Sequence, residues 1–113
     1  MASTTIKKVS GEDSPTGQLG QKYLVSGVSV SMRLWEEKAG EGDLRRHARD
    51  YETVGYVLDG KADLLIDDIT MTLVKGDSWL VPKGAPHEYR ILEDFTAIEA
   101  TSPPAHVHGR DES

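Results

Sequence analysis

Five side chains between positions 47 and 89 carry most of the chemistry this sequence offers: His47, Arg49, Glu52, His87 and Tyr89. Two imidazoles and a carboxylate, from His47, His87 and Glu52, would make a two-histidine, one-carboxylate donor set only if the fold gathers them, which their spacing alone does not show. Such a set leaves open coordination positions on one divalent metal ion, Fe, Mn, Ni or Zn. A guanidinium asks for different chemistry. Arg49 cannot be a ligand, and about 4 Å from a divalent ion, at an effective dielectric of about 20, it would be repelled by roughly 8 kcal/mol. Beside His87 it forms a fork for a carboxylate or phosphate instead. Arg49 lies two residues after His47, so an unbroken strand would put both on one face. The residues therefore pose a choice between a metal centre on His47, Glu52 and His87 and an anion site on Arg49 and His87, with Tyr89 near the ligand.

The elements that must position these groups read as strands. Val28, Val30, Met32 and Leu34 alternate with Ser29, Ser31 and Arg33, the period-two pattern of a strand with one buried face. Further runs follow at Glu52–Leu58, Lys61–Ile66, Ile69–Val74, Ser78–Val81, His87–Leu92 and Phe95–Thr101. "DG", "DD", "KGD", "PKGAP" and "ED" separate them as turn signals, and "LIDDIT" reads as a tight hairpin. Short runs punctuated in this way predict an all-β antiparallel sandwich or barrel with no helix longer than two turns. On Glu52–Leu58, Glu52 shares a face with Val54, Tyr56 and Leu58, and Thr53 shares the other with Gly55 and Val57. The first face is the more apolar, so if it lines the core Glu52 points inward.

Composition narrows the partners. The 113 residues fit a single domain, and the expected division is a flexible arm over 1–21, a barrel domain over 22–102 and a polar tail over 103–113. Cysteine is absent, so no disulfide or thiolate site is possible, which suits a reducing compartment. A net charge of −6 works against nucleic acid and anionic membrane surfaces. The chain has no long apolar run, and the expectation is a soluble, cytoplasmic protein.

The stretch from Gly76 to His87 has a recognisable spacing: Gly76, five residues, Pro82, Lys83, Gly84, two residues, His87. It resembles the second sequence motif of the cupin family, with Ile91 where that pattern continues to Asn. Gly42 to Gly60, "GDLRRHARDYETVGYVLDG", partly resembles the first motif, a Gly, His-x-His, three or four residues, Glu, and a closing Gly. Counted back from Gly60, His47 takes the first histidine slot, Arg49 the second and Thr53 the glutamate slot. Counted with His47 as the second histidine, Glu52 takes the glutamate slot and Arg45 the first histidine slot.

The resemblance spans about Val28 to Thr101 and implies a small jelly-roll barrel, commonly a homodimer, with the site at the barrel's mouth. It also implies that the glutamate-slot residue points inward, which in the first register is Thr53, with Gly55 leaving space for a ligand. Gly84 is expected in a positive-φ turn. Tyr56, Trp79 and Tyr89 fit core or interface positions better than sugar-stacking platforms, and His106 and His108 fit a solvated tail. Three readings of function follow. The first is a metal-dependent enzyme of oxygenase, isomerase or lyase type on His47, Glu52 and His87, acting on a small polar or anionic molecule. The second is a metal-free cupin binding a small anion through Arg49 and His87, and the third is an interaction module.

Overall fold

The dipeptides that read as turns fall into two kinds. In the computed structural model, which describes residues 8–10, 12, 21–40 and 47–104, Asp67-Asp68 makes a two-residue hairpin, with Ile66 paired to Ile69 and Asp67 at φ 52°. Asp59-Gly60 and Glu93-Asp94 do not turn the chain. They lie inside two long strands that run on through them, so that the described residues form six strands: β1 (Gln21–Ser26), β2 (Ser31–Glu37), β3 (Glu52–Ile66), β4 (Ile69–Val74), β5 (Ser78–Val81) and β6 (His87–Ser102). The pairing of β3 with β6 slips between Val57 and Ala62, which is a bulge rather than a loop. Gly60 makes it possible. Its φ is +88°, and a Cβ there would be driven into the Asp94 carbonyl and to 2.7 Å from the Phe95 Cα.

Every strand pairing is antiparallel, in the order β1-β2-β6-β3-β4, with β5 pairing β3 off that path. The described residues contain no α-helix, and none is long and apolar enough to cross a membrane. The arm and tail expected over 1–21 and 103–113, with His106 and His108, fall almost wholly outside the described residues, although Gln21 already belongs to β1.

Which face is buried reverses the reading from apolar content. On β2 the buried residues are Ser31, Arg33 and Trp35, while Met32 is exposed and Val28 and Val30 lie exposed just before the strand. On β3 Thr53, Gly55 and Val57 are buried, whereas Glu52, Val54, Tyr56 and Leu58 point outward. Val28–Leu34 is thus an amphipathic run with its apolar side out. The cause lies in what fills the interior. Trp35, Trp79, Phe95, Val57, Leu64 and Ile91 supply the apolar core, and buried polar pairs occupy the remaining inward positions. Arg33 meets Glu99 across β2 and β6, and Ser31 shares a 3.0 Å hydrogen bond with Thr101.

Candidate functional site

Two turns and one short bridge bring the site together. Gly76 and Gly84, at φ +93° and +80°, flank β5, so the chain crosses the sheet once and turns straight into β6. Gly84 fulfils the expected positive φ, and its N–H donates to the Arg49 carbonyl at 2.8 Å. His47 and His87 then pair as an isolated antiparallel bridge, each N–H donating to the other's carbonyl at 2.7 Å. The segment before β3 is therefore fastened to the turn before β6. His87, at the start of β6, faces inward beside it.

These residues surround a cavity of about 60 Å³, several times the roughly 10–15 Å³ one water needs. His47, Arg49, Thr53, His87 and Tyr89 line it, together with Arg33, Trp35, Tyr51 and Glu99. Glu52 does not. Strand parity puts it on the outer face of β3, exposed, so the proposed set of His47, Glu52 and His87 is not assembled. Thr53 and Arg49, which the count back from Gly60 put in the glutamate and second histidine slots, are both buried. Gly55 leaves no space for a ligand, because Trp79 lies across it and fills it.

The residues missed in the sequence are the ones that set the site's electrostatics. Arg33 Nε donates to Glu99 Oε1 at 2.8 Å, with both side chains almost wholly buried, and its Nη1 reaches the Tyr51 hydroxyl at 3.3 Å. The guanidinium carbon sits 5.5 Å from the centre of the Tyr51 ring. The one available signal was parity: Arg33 lies two residues before Trp35, and Glu99 falls between Ala97 and Thr101 on the inward side of β6. Among the buried charges lining the cavity, two guanidiniums face one carboxylate, while Glu37 and Glu88 are half-buried around it.

His87 responds to that surplus. Burial, chiefly, and the charges of Arg49, His47 and Arg33 hold its pKa below the usual 6.5, against an opposing hydrogen bond to Ala85. That bond is 3.0 Å from Nδ1 to a carbonyl, which can only accept, so Nδ1 carries the proton and Nε2 is left as the acceptor. Tyr89 packs edge-on against Trp35, their ring centres 4.7 Å apart, and its hydroxyl accepts from Trp79 Nε1 at 3.1 Å. Burial, with a further contribution from Glu99, pushes its phenol far above the usual 10, so it stays neutral.

A Cupin domain profile matches residues 33–100, well over half of the chain. The chain belongs to the cupin family. Its sequence is 34% identical over 86 residues to the quercetin 2,3-dioxygenase of Bacillus subtilis (strain 168), which is 74% of this cupin but only 22% of that protein. This cupin therefore spans about a fifth of that relative's length. Among solved structures it is similar to an RmlC-like cupin from Shewanella frigidimarina NCIMB 400, with a TM-score of 0.74 at 23% identity over 88% of this chain and 92% of the other. It is also similar to KdgF from Halomonas sp., with a TM-score of 0.75 at 20% identity over 88% and 94%. At those identities the likeness is one of fold.

Metal binding is widespread among cupins, and the donor set here can be tested against it. Among the described residues no three His, Asp or Glu side chains are grouped to hold a metal ion. His47 and His87 are the imidazoles at the cavity, with Arg49 and Thr53 beside them, and the carboxylates of Glu37, Glu88 and Glu99 that also line it do not group with them into a metal-holding set. Glu99, the buried carboxylate in the lining, is already bound to Arg33. Two imidazoles facing two guanidiniums do not suit a divalent cation. They suit an anion.

Proposed function

We propose that this cupin folds as a jelly-roll barrel in the cytoplasm and binds a small anionic metabolite in its cavity without a metal ion. Arg49 is the principal anchor, with His87 a second donor once protonated. The observation that supports this reading most is the delivery of Arg49 and His87 to one cavity by the Gly84 hydrogen bond and the His47–His87 bridge. Both guanidiniums bear on His87, so an incoming negative charge relieves a repulsion already present. Tyr89 and Trp35 form an apolar wall, while Thr53 and the half-buried Glu37 and Glu88 offer polar atoms to hydroxyl groups on the same ligand. The absence of cysteine accords with the compartment.

Isothermal titration with a panel of small hydroxy-carboxylates and inorganic phosphate tests the reading. At least one anion should bind, more tightly at pH 6 than at pH 8, because binding draws a proton onto His87 Nε2. Arg49→Gln should weaken that binding by roughly tenfold to a hundredfold, the loss of one or two charge-assisted hydrogen bonds. Chelator treatment should leave it unchanged. Stoichiometric metal in purified protein, or equal anion affinity in Arg49→Gln, would overturn the proposal.

A further inference from the structure

Three inward side chains of β2 follow one another along the cavity wall: Arg33, Trp35 and Glu37. Alternate residues of a strand are about 6.7 Å apart, so the guanidinium and the carboxylate leave the backbone about 13 Å apart with the indole between them. β6 repeats this order. His87 stands at the guanidinium end, where the charges of Arg49 and Arg33 act on it. Tyr89 meets Trp35 edge-on in the middle, with ring centres 4.7 Å apart. Beyond it, the Ile91 carbonyl accepts from the N–H of Gly40, which follows Glu37 closely in the chain. The cavity thus has a basic end, an aromatic middle and an acidic end.

Glu37 is half-buried, and its Oε1 accepts from Trp35 Nε1 at 2.7 Å, so the cavity wall itself fixes where the carboxylate sits. A carboxylate has about four lone-pair directions, and one indole N–H takes only one of them. Among the described residues the lining holds three carboxylates, Glu37, Glu88 and Glu99, against two guanidiniums, Arg33 and Arg49. Before any histidine gains a proton, that is a surplus of one negative charge, so a ligand with a second negative group adds repulsion. We infer that the ligand is a zwitterion, with its carboxylate at Arg49 and His87, its ammonium at Glu37, and a short chain of methylene groups against Trp35 and Tyr89. The inference rests on the anion site proposed above and names the class of anion. Burying an ammonium requires an opposite charge, which Glu37 supplies, and the two aromatic rings beside the path add their attraction for a cation. A hydroxyl group would cover the Glu37 carboxylate without neutralising it.

Isothermal titration of the full chain tests this with β-alanine, γ-aminobutyrate and δ-aminovalerate, each set against the plain acid and the hydroxy acid of equal length, and with succinate. The best amino acid of the series should bind wild type roughly tenfold more tightly than its plain or hydroxy counterpart, and succinate should bind most weakly. Glu37→Gln keeps an acceptor for the Trp35 N–H and removes only the charge. It should weaken the amino acid by about tenfold, leave the plain acid within about twofold and strengthen succinate. Should that variant fail to fold, the wild-type ranking alone decides the class. A plain acid, a hydroxy acid or succinate that binds wild type as tightly as the amino acids would overturn the inference and leave the anion site standing. So would a Glu37→Gln variant that weakens amino acid and plain acid alike. If no carboxylate binds, or Arg49→Gln changes none of the affinities, the anion site itself fails and the inference with it.

Discussion

Replacing Gly55 with alanine adds one methyl group where β3 packs against the core indole of Trp79. Gly55 pairs with Trp79 across β3 and β5, and the indole folds back over it. A Cβ at Gly55 would stand 2.7 Å from Trp79 Cζ3 and closer still to Cη2 and Cζ2, well inside any tolerable carbon–carbon separation. Neither side can yield freely. The Gly55 backbone is held between Trp79 and Glu99 in the sheet, and the buried indole is tied through Nε1 to the Tyr89 hydroxyl at 3.1 Å. Overpacking of this kind costs about 1–3 kcal/mol. At about 4–8 °C per kcal/mol for a domain near this size, a loss of about 2 kcal/mol lowers Tm by about 8–16 °C.

The displaced indole should also disturb Tyr89, which walls the cavity, so ligand affinity should fall along with stability. Thermal denaturation of Gly55→Ala, Trp79→Leu and the double variant separates the cause. If the methyl acts through the indole, Gly55→Ala should cost little in the Trp79→Leu background, with a coupling of roughly 1–2 kcal/mol. An unchanged Tm in Gly55→Ala, or strictly additive effects in the double variant, would refute the close approach on which this reasoning rests.

Arg33→Ala should destabilise the fold by about 3–5 kcal/mol, because it leaves the Glu99 carboxylate buried without its 2.8 Å partner; urea denaturation measures this, and Arg33→Met combined with Glu99→Leu should recover much of the loss. His87 should make stability fall in mild acid. Its folded pKa lies below the unfolded 6.5, so the unfolded chain binds more protons, and its contribution is full above pH 6.5 and is lost as pH drops toward the folded value. The difference in unfolding free energy between pH 7.5 and pH 5.5 should therefore shrink in His87→Gln. Gly84→Ala should cost about 1 kcal/mol by calorimetry, from its positive φ alone, since nothing lies within 4 Å of the new Cβ.

Much of this architecture was legible because turns and alternation are local. The "DD" hairpin, the position of Gly84 and the Gly76–His87 spacing all depend on dihedrals that few residues accept, and those signals survive without knowledge of the tertiary fold. The reading failed where a local signal had two meanings. "DG" marks a turn when the chain reverses there, but Gly60 serves a bulge in a strand of 15 residues, and only the approach of Asp94 from β6 distinguishes the two. β1 was missed because "QKYLVS" is short and only partly buried, with no clean alternation.

The orientation of β2 and β3 was the costlier ambiguity, and it decided the site. A period of two says that two faces differ without saying which is inside. Assigning the more apolar face inward put Glu52 next to His47 and His87 and favoured a metal. The actual parity sends Glu52 to solvent and brings in Thr53, and on β2 it buries Arg33 opposite Glu99. One reversal therefore removes a carboxylate from the candidate metal set and adds a guanidinium to the cavity wall. It also leaves Met32, Val54 and Tyr56 facing outward. The polar lining of the cavity and the apolar outer face of the sheet are two sides of the same inversion. Strands that spend inward positions on Arg33 and Thr53 have their outer faces left for aliphatic side chains such as Met32 and Val54.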